Sequence, residues 1–383
     1  MLNIKDFVNK YPNLIASIKL IFFLYLFFLS LQLMGGSMKL FGKDMAKTLI
    51  QTTANPFVGL FIGILATSII QSSSSTTSIV VGMVASAITP ETTQGEITEL
   101  IGNSIPIIMG ANIGTSITNT IASLPQINRS NEFKRAFAAA TVHDFFNYLS
   151  VIVLLPLQIA TNFLGIAASS LANTFQNVGG LNFLSPVKAL TKPVAQYYIH
   201  QLEVMLGSGA LYKWAALITA LILLFIALKY MTDSLKVLVV SKAKAWFDKF
   251  LFKTAGRAMM VGIVLTILVQ SSSITTSLVV PMAGAGLLTL AQIFPYTLGS
   301  NIGTTVTAML AALITGNIAA ITVAFSHLLF NIAGIVFWWP FRAIPIKMAE
   351  MFAEYSTRSK LIPVAYVVIL FFIIPLLVIS ISN

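Results

Sequence analysis

At 383 residues, 57% hydrophobic and 9% charged, the chain is too apolar for a soluble domain and reads as an all-α polytopic membrane protein. Its net charge of +11 fits Lys and Arg in cytoplasmic loops beside anionic lipid better than it fits nucleic acid. With no cysteine, disulfides, thiol catalysis and Cys-based metal sites are excluded, and histidines scattered at 143, 200 and 327 argue against a His-rich metal centre.

In chain order, residues 1–13 are polar and the apolar run 14–33 is long, so it reads as a retained membrane helix rather than a cleaved signal peptide. Residues 56–70 are apolar, a serine run follows, and 76–88 are apolar again. Each arm makes at most about 22 Å of helix against a hydrocarbon core of about 30 Å, which predicts a re-entrant hairpin with the serines at its tip. Residues 97–124 are long enough to cross, but carry Pro106 and then Asn-Ile-Gly-Thr, so a helix broken near mid-membrane is expected, with free N–H groups at the break. The run 137–157 is a plain span. A polar connection over 158–212 leads to a second set: span 213–231, hairpin arms 257–269 and 275–288, a broken helix over 289–312 with Pro295, and span 317–338. A loop from 339 and a last span, 361–379, close the chain.

The second set repeats the first. QSSSSTTSIVVGM (71–83) and QSSSITTSLVVPM (270–282) share one pattern, GANIGTSIT (110–118) is matched by GSNIGTTVT (299–307), and His143/Asn147 by His327/Asn331. Units 14–157 and 213–338 are thus two repeats, and three crossings between Gln71 and Gln270 make them inverted. Most of the 23 Lys and Arg lie in or flank loops that are cytoplasmic if the amino terminus is inside. That orientation puts 158–212 outside and 339–360 inside.

Hydroxyls and carboxamides in apolar sequence lose water unless partnered, so a duplicated polar cluster asks for a function beyond helix packing. Gly59 and Gly63, by contrast, read as close-packing positions only. No Lys or Arg lies between Lys47 and Arg129 or between Arg257 and Arg342. An anion there would be held by hydroxyls, carboxamides and helix N-termini, a donor set suited to a tetrahedral oxyanion. The anion-binding candidates are Gln71, Ser72, Ser73, Ser74 and Asn112, with Gln270, Ser271, Ser272, Ser273, Asn301 and Thr304. Without Lys or Arg its charge is under-compensated, and cations bound through neutral oxygens are the natural remedy, so anion–sodium symport is expected. Asp144, the one acidic residue within the plain spans and matched by Leu328 in the second unit, is assigned to a cation site, as is Thr307. His143 and His327 read equally well as interhelical hydrogen-bonders.

The motifs QSSSSTTSIV, QSSSITTSLV, IPIIMGANIGTSITNT, FAAATVHDFFNYLSV and TLGSNIGTT resemble those of the type II sodium-dependent phosphate cotransporters, over about 50–160 and 255–340. The resemblance implies inorganic phosphate carried inward near both QSSS elements, with sodium as coupling ion. It also implies a sodium site from the residues matching Thr120, Gln126, Asn147 and Ser300. In that family the aspartate matched by Asp144 separates electrogenic members from electroneutral ones with glycine there. Ile127-Asn128 departs from the Gly-Asp of animal members. The connection between the repeats is short, lacks a glycosylation sequon, and fits a bacterial inner-membrane protein. No cofactor and no nucleic-acid partner are expected. No serine-histidine-acid set or metal cluster points to an enzyme. The rival readings are a sodium-coupled carboxylate carrier and a non-transporting membrane binding protein or scaffold.

Overall fold

The computed structural model describes residues 11–41, 53–177, 185–250 and 254–382. Most of the expected cytoplasmic amino terminus, 178–184 of the connection and 251–253 of the loop before the second hairpin lie outside the described residues. Among the described residues the structure is helical throughout, without strands. The principal helices are α1 (Pro12–Leu40), α2 (Pro56–Ile70), α3 (Ser73–Ala87), α4 (Gln94–Gly114), α5 (Ile117–Ser123), α6 (Ser130–Thr161), α7 (Phe163–Asn177) and α8 (Ser185–Leu206). They continue as α9 (Ala210–Phe250), α10 (Ala255–Val269), α11 (Ser272–Gly284), α12 (Leu290–Thr315), α13 (Ile318–Trp338), α14 (Ala343–Ser356), α15 (Leu361–Val368) and α16 (Ile374–Ile381). A π-helical turn, Ile369–Ile373, joins the last two.

Seven stretches are long and apolar enough to cross a membrane, and the protein is a polytopic membrane protein. Five match the plain spans expected from sequence, and the others, Gln94–Gln126 and Leu290–Thr315, contain the Asn-Ile-Gly-Thr elements. Arms α2 and α10 are 15 residues each, about 22 Å, and are too short to cross comfortably.

Local sequence sets the boundaries, and sets them twice. Asn55 caps α2 by accepting from Phe57 N at 2.9 Å, and Thr254 caps α10 by accepting from Arg257 N at 3.3 Å. Thr-x-x-Glu and Thr-x-x-Gln open α4 and α12: Thr93 N donates to Glu96 Oε2 at 2.7 Å, and Thr289 N to Gln292 Oε1 at 2.9 Å. Packing repeats as well. α2 lies on α4 as α10 lies on α12, α3 packs on α12 and α13, and α11 packs on α5 and α6. α14 covers α6 as α7 covers α13, while α1 and α9 pair with each other.

One expectation is corrected. α12 runs unbroken through Asn301-Ile-Gly-Thr, so the second repeat has no broken helix. In the first repeat the helix is interrupted after Gly114, at Thr115-Ser116, where Thr115 N bonds Ala111 O and Ser116 N bonds Ile113 O, and α5 begins at Ile117. Both glycines make close contacts: a Cβ on Gly114 would lie 2.7 Å from Thr67 Cβ, and one on Gly303 2.6 Å from Thr266 Cβ. The neighbouring threonines return their hydroxyls to the helix, Thr115 to Ala111 O at 3.0 Å and Thr304 to Ser300 O at 3.0 Å. Both prolines also sit inside their helices.

Candidate functional site

The hairpins are seated by backbone-to-backbone contact. A side chain on Gly63 would strike the Ile107 carbonyl, and one on Gly262 the Tyr296 carbonyl. Gly59 tolerates more room, its nearest neighbour lying 3.4 Å from a built Cβ. Each first arm therefore sits directly on α4 or α12, which fixes the height of its tip.

At each tip a non-glycine residue takes the left-handed conformation, Gln71 at φ 56° and Gln270 at φ 54°. This costs an L-residue about 1–2 kcal/mol, so the surroundings must impose it. Each glutamine N–H closes the first arm by bonding Thr67 O or Thr266 O at 2.7 Å. The next serine caps the second arm: Ser72 Oγ accepts from Ser75 N at 3.2 Å, and Ser271 Oγ from Ile274 N at 3.4 Å. A threonine pair ties the arms together, Thr67–Thr76 at 3.0 Å and Thr266–Thr275 at 2.8 Å. Helices α3 and α11 thus start at the serine runs. Each tip therefore carries a helix N-terminus, while of the two Asn-Ile-Gly-Thr elements only the first is followed by one, that of α5.

The two tips meet. Ser74 Oγ lies 3.5 Å from Gln270 O, and one pocket of about 490 Å³ is lined by Gln71, Ser72, Ser74, Gln270 and Ser271. Gln71 is exposed, whereas the Gln270 carboxamide is held, accepting from Thr307 Oγ1 at 2.7 Å and donating to Ile267 O at 2.6 Å. From α9 the pocket also gains Lys229 and Asp233. Sequence reasoning missed both, because they precede the second polar cluster and only folding brings α9 alongside the tips.

Beside the tips runs a buried polar chain. Asn112 donates to Asn331 Oδ1 at 2.7 Å and lies 3.3 Å from His327 Nε2, while Asn147 donates to the Asn112 carbonyl at 2.9 Å. Asn301 donates to Asn147 Oδ1 at 2.9 Å and meets His143 Nε2 at 2.5 Å. The other ring nitrogen of His143 is 3.2 Å from Asn119 Nδ2, and Asn119 Oδ1 accepts from Thr276 at 2.7 Å. Both histidines therefore bond between helices, joining the two repeats.

Asp144 is fully buried. Its Oδ2 accepts from Thr120 Oγ1 at 3.2 Å and from Tyr366 OH at 2.9 Å, while Oδ1 has no hydrogen-bond partner among the described residues. Gln126 Oε1, in the short turn after α5, is likewise buried and unpartnered. Of the sodium candidates, Thr120 and Asp144 are brought together, Asn147 lies in the polar chain, Ser300 bonds Tyr296 O at 3.1 Å, and Thr307 holds Gln270. Of the anion candidates, Ser73, Ser272 and Ser273 are buried in the opening turns of α3 and α11. Asn112 and Asn301 lie in the polar chain and Thr304 faces its own helix, so none of these three lines the pocket.

A family model described as Na+/Pi-cotransporter matches residues 26–179 and 223–342. Curated relatives include sodium-dependent phosphate transport protein 2B of Pongo abelii and of Homo sapiens, each 34% identical over 95% of this chain and 65% of the relative. Sodium-dependent phosphate transport protein 2A of Mus musculus is 33% identical over 94% of this chain and 66% of the relative. The chain thus spans just under two thirds of the length of these relatives. No solved structure matches it. Two serine-tipped helix pairs over one pocket, the duplicated motifs that build them and the match across both halves lead to one conclusion: the chain belongs to the Na+/Pi-cotransporter family.

Proposed function

We propose that the chain is a secondary active transporter that couples inward sodium flow to uptake of inorganic phosphate, by alternating access around the pocket between the two serine tips. The observation that carries this reading is the shared pocket, lined by both QSSS elements and facing the starts of two helices. Hydroxyls, exposed Gln71 and two helix N-termini make a donor set for an oxyanion, and Lys229 and Asp233 add one charge of each sign to the lining. The names of the relatives support phosphate and sodium as the transported pair.

Asp144 and Thr120 form the sodium locus in this reading, with Gln126, Asn147, Ser300 and Thr307 as its further candidates. A deep carboxylate present in one repeat only makes transport electrogenic. Re-entrant hairpins entering from opposite faces are supported by what surrounds the ends of their second arms. Ala85 lines a pocket with Gly35, Lys192 and Thr315, at the end of α12, whereas Ala283 lines one with Lys134, Arg135 and Leu290, at its start. The protein is read as a multi-pass, bacterial-type cell-membrane protein with a cytoplasmic amino terminus.

The test is uptake of labelled phosphate by the purified full chain in liposomes. An inward sodium gradient should drive accumulation, an inside-negative potential should stimulate it, and potassium should not replace sodium. Uptake indifferent to sodium overturns the coupling, and equal competition by dicarboxylates favours a carboxylate carrier.

A further inference from the structure

The final helix, beyond the residues matched by the family model, enters the buried polar interior through Tyr366. Its hydroxyl donates to Asp144 Oδ2, the oxygen that Thr120 also reaches, while Oδ1 of this fully buried carboxyl group has no hydrogen-bond partner among the described residues, with the Ser116 hydroxyl also close to the group. Among the described residues no Lys or Arg pairs with Asp144. A buried carboxylate with one oxygen accepting two hydrogen bonds and the other accepting none is costly unless a bound cation or a proton neutralises it.

The Tyr366 ring is held for this geometry. Phe352 lies 4.8 Å away, Phe371 6.0 Å and Phe137 6.4 Å, centroid to centroid. The π-helical turn that follows Val368 contains Phe371, which is wholly buried while its neighbour Ile369 is 44% exposed. π-turns inside helices recur at functional sites because the extra residue re-aims the side chains around it.

We propose that Tyr366 is a positioning residue for cation binding: its hydroxyl fixes Asp144 Oδ2 so that Oδ1 is presented to sodium, which makes the last helix part of the coupling machinery. The proposal rests on the reading of Asp144 as a sodium locus. It assigns a role in transport to an element that belongs to neither repeat.

The experiment compares wild type, Tyr366→Phe, Tyr366→His and Asp144→Asn as full chains in proteoliposomes, with sodium-induced thermal stabilisation in detergent as a readout free of transport. Tyr366→Phe keeps the ring packing. It should raise half-activating sodium about tenfold, the loss expected for one hydrogen bond to a charged group. Its half-saturating phosphate, measured at saturating sodium, should stay within about twofold of wild type. Tyr366→His, which keeps a donor, should fall between the two. Sodium activation of Tyr366→Phe equal to wild type overturns the proposal. If Tyr366→Phe does not purify folded, equal sodium activation in Tyr366→His and Tyr366→Leu overturns it instead. Unchanged sodium activation in Asp144→Asn removes the sodium locus itself, whereas a change there without one in Tyr366→Phe removes only the role of Tyr366.

Discussion

Ser72 and Ser271 illustrate how one residue type serves two ends at once. Each hydroxyl accepts from the backbone of its own helix and so caps it, and each lines the shared pocket, where its proton is free to point at an anion. Ser72→Ala or Ser271→Ala should therefore weaken phosphate affinity by about 1–3 kcal/mol, roughly 5- to 150-fold. The check is half-saturating phosphate in liposomes, with the folded fraction confirmed by gel filtration. Wild-type affinity in either variant would count against a site shared by both tips. The serines, Gln71, Gln270 and Asp144 were legible in the sequence, because polar residues in apolar surroundings are conspicuous by themselves. Lys229 and Tyr366 were not, since a lysine near a helix end and a tyrosine in an apolar run are unremarkable until a fold gives them a neighbour.

For the paired helices the decisive feature is the absence of side chains at the crossing. Gly63 and Gly262 let the first arms touch the carbonyls of α4 and α12, so a methyl there has no flexible neighbour to displace. Gly63→Ala should lower stability by about 1–3 kcal/mol, the range for overpacking, and should lower the melting temperature in detergent. Gly102→Ala is the control: nothing lies within 4 Å of its added carbon, and its melting temperature should stay at or slightly above wild type. The helix break expected at Asn301-Ile-Gly-Thr fails for the same reason that these glycines matter, whereas in the first repeat α4 does end at Gly114. Glycine in sequence signals either a break or a close approach: at Gly303 the approach of Thr266 stands alone, and at Gly114 the approach of Thr67 accompanies the end of α4.

Across the molecule, the ends of the second arms lie at opposite ends of α12, a 26-residue helix about 39 Å long. Single cysteines at Glu91 and Leu287, just past α3 and α11, should react with impermeant thiol reagents from opposite sides of a sealed vesicle. The background is clean because the chain has no cysteine of its own. Reaction of both from one side would end the inverted-repeat reading and the orientation drawn from the Lys and Arg distribution.

The sequence by itself determined the membrane class, the two repeats, the short hairpin arms and the polar motifs. All of these follow from composition, length and local spacing, which need no knowledge of what lies opposite. Only the tertiary structure decided that the two serine tips face one pocket, that α9 supplies Lys229 and Asp233 to it, and that Asn112 and Asn301 turn to the buried polar chain. It likewise decided that Tyr366 reaches Asp144 across 222 residues of chain. Each of these depends on which unsatisfied donor finds which acceptor once helices pack, and in a dry interior that pairing is set by geometry between distant segments rather than by the order of residues along the chain.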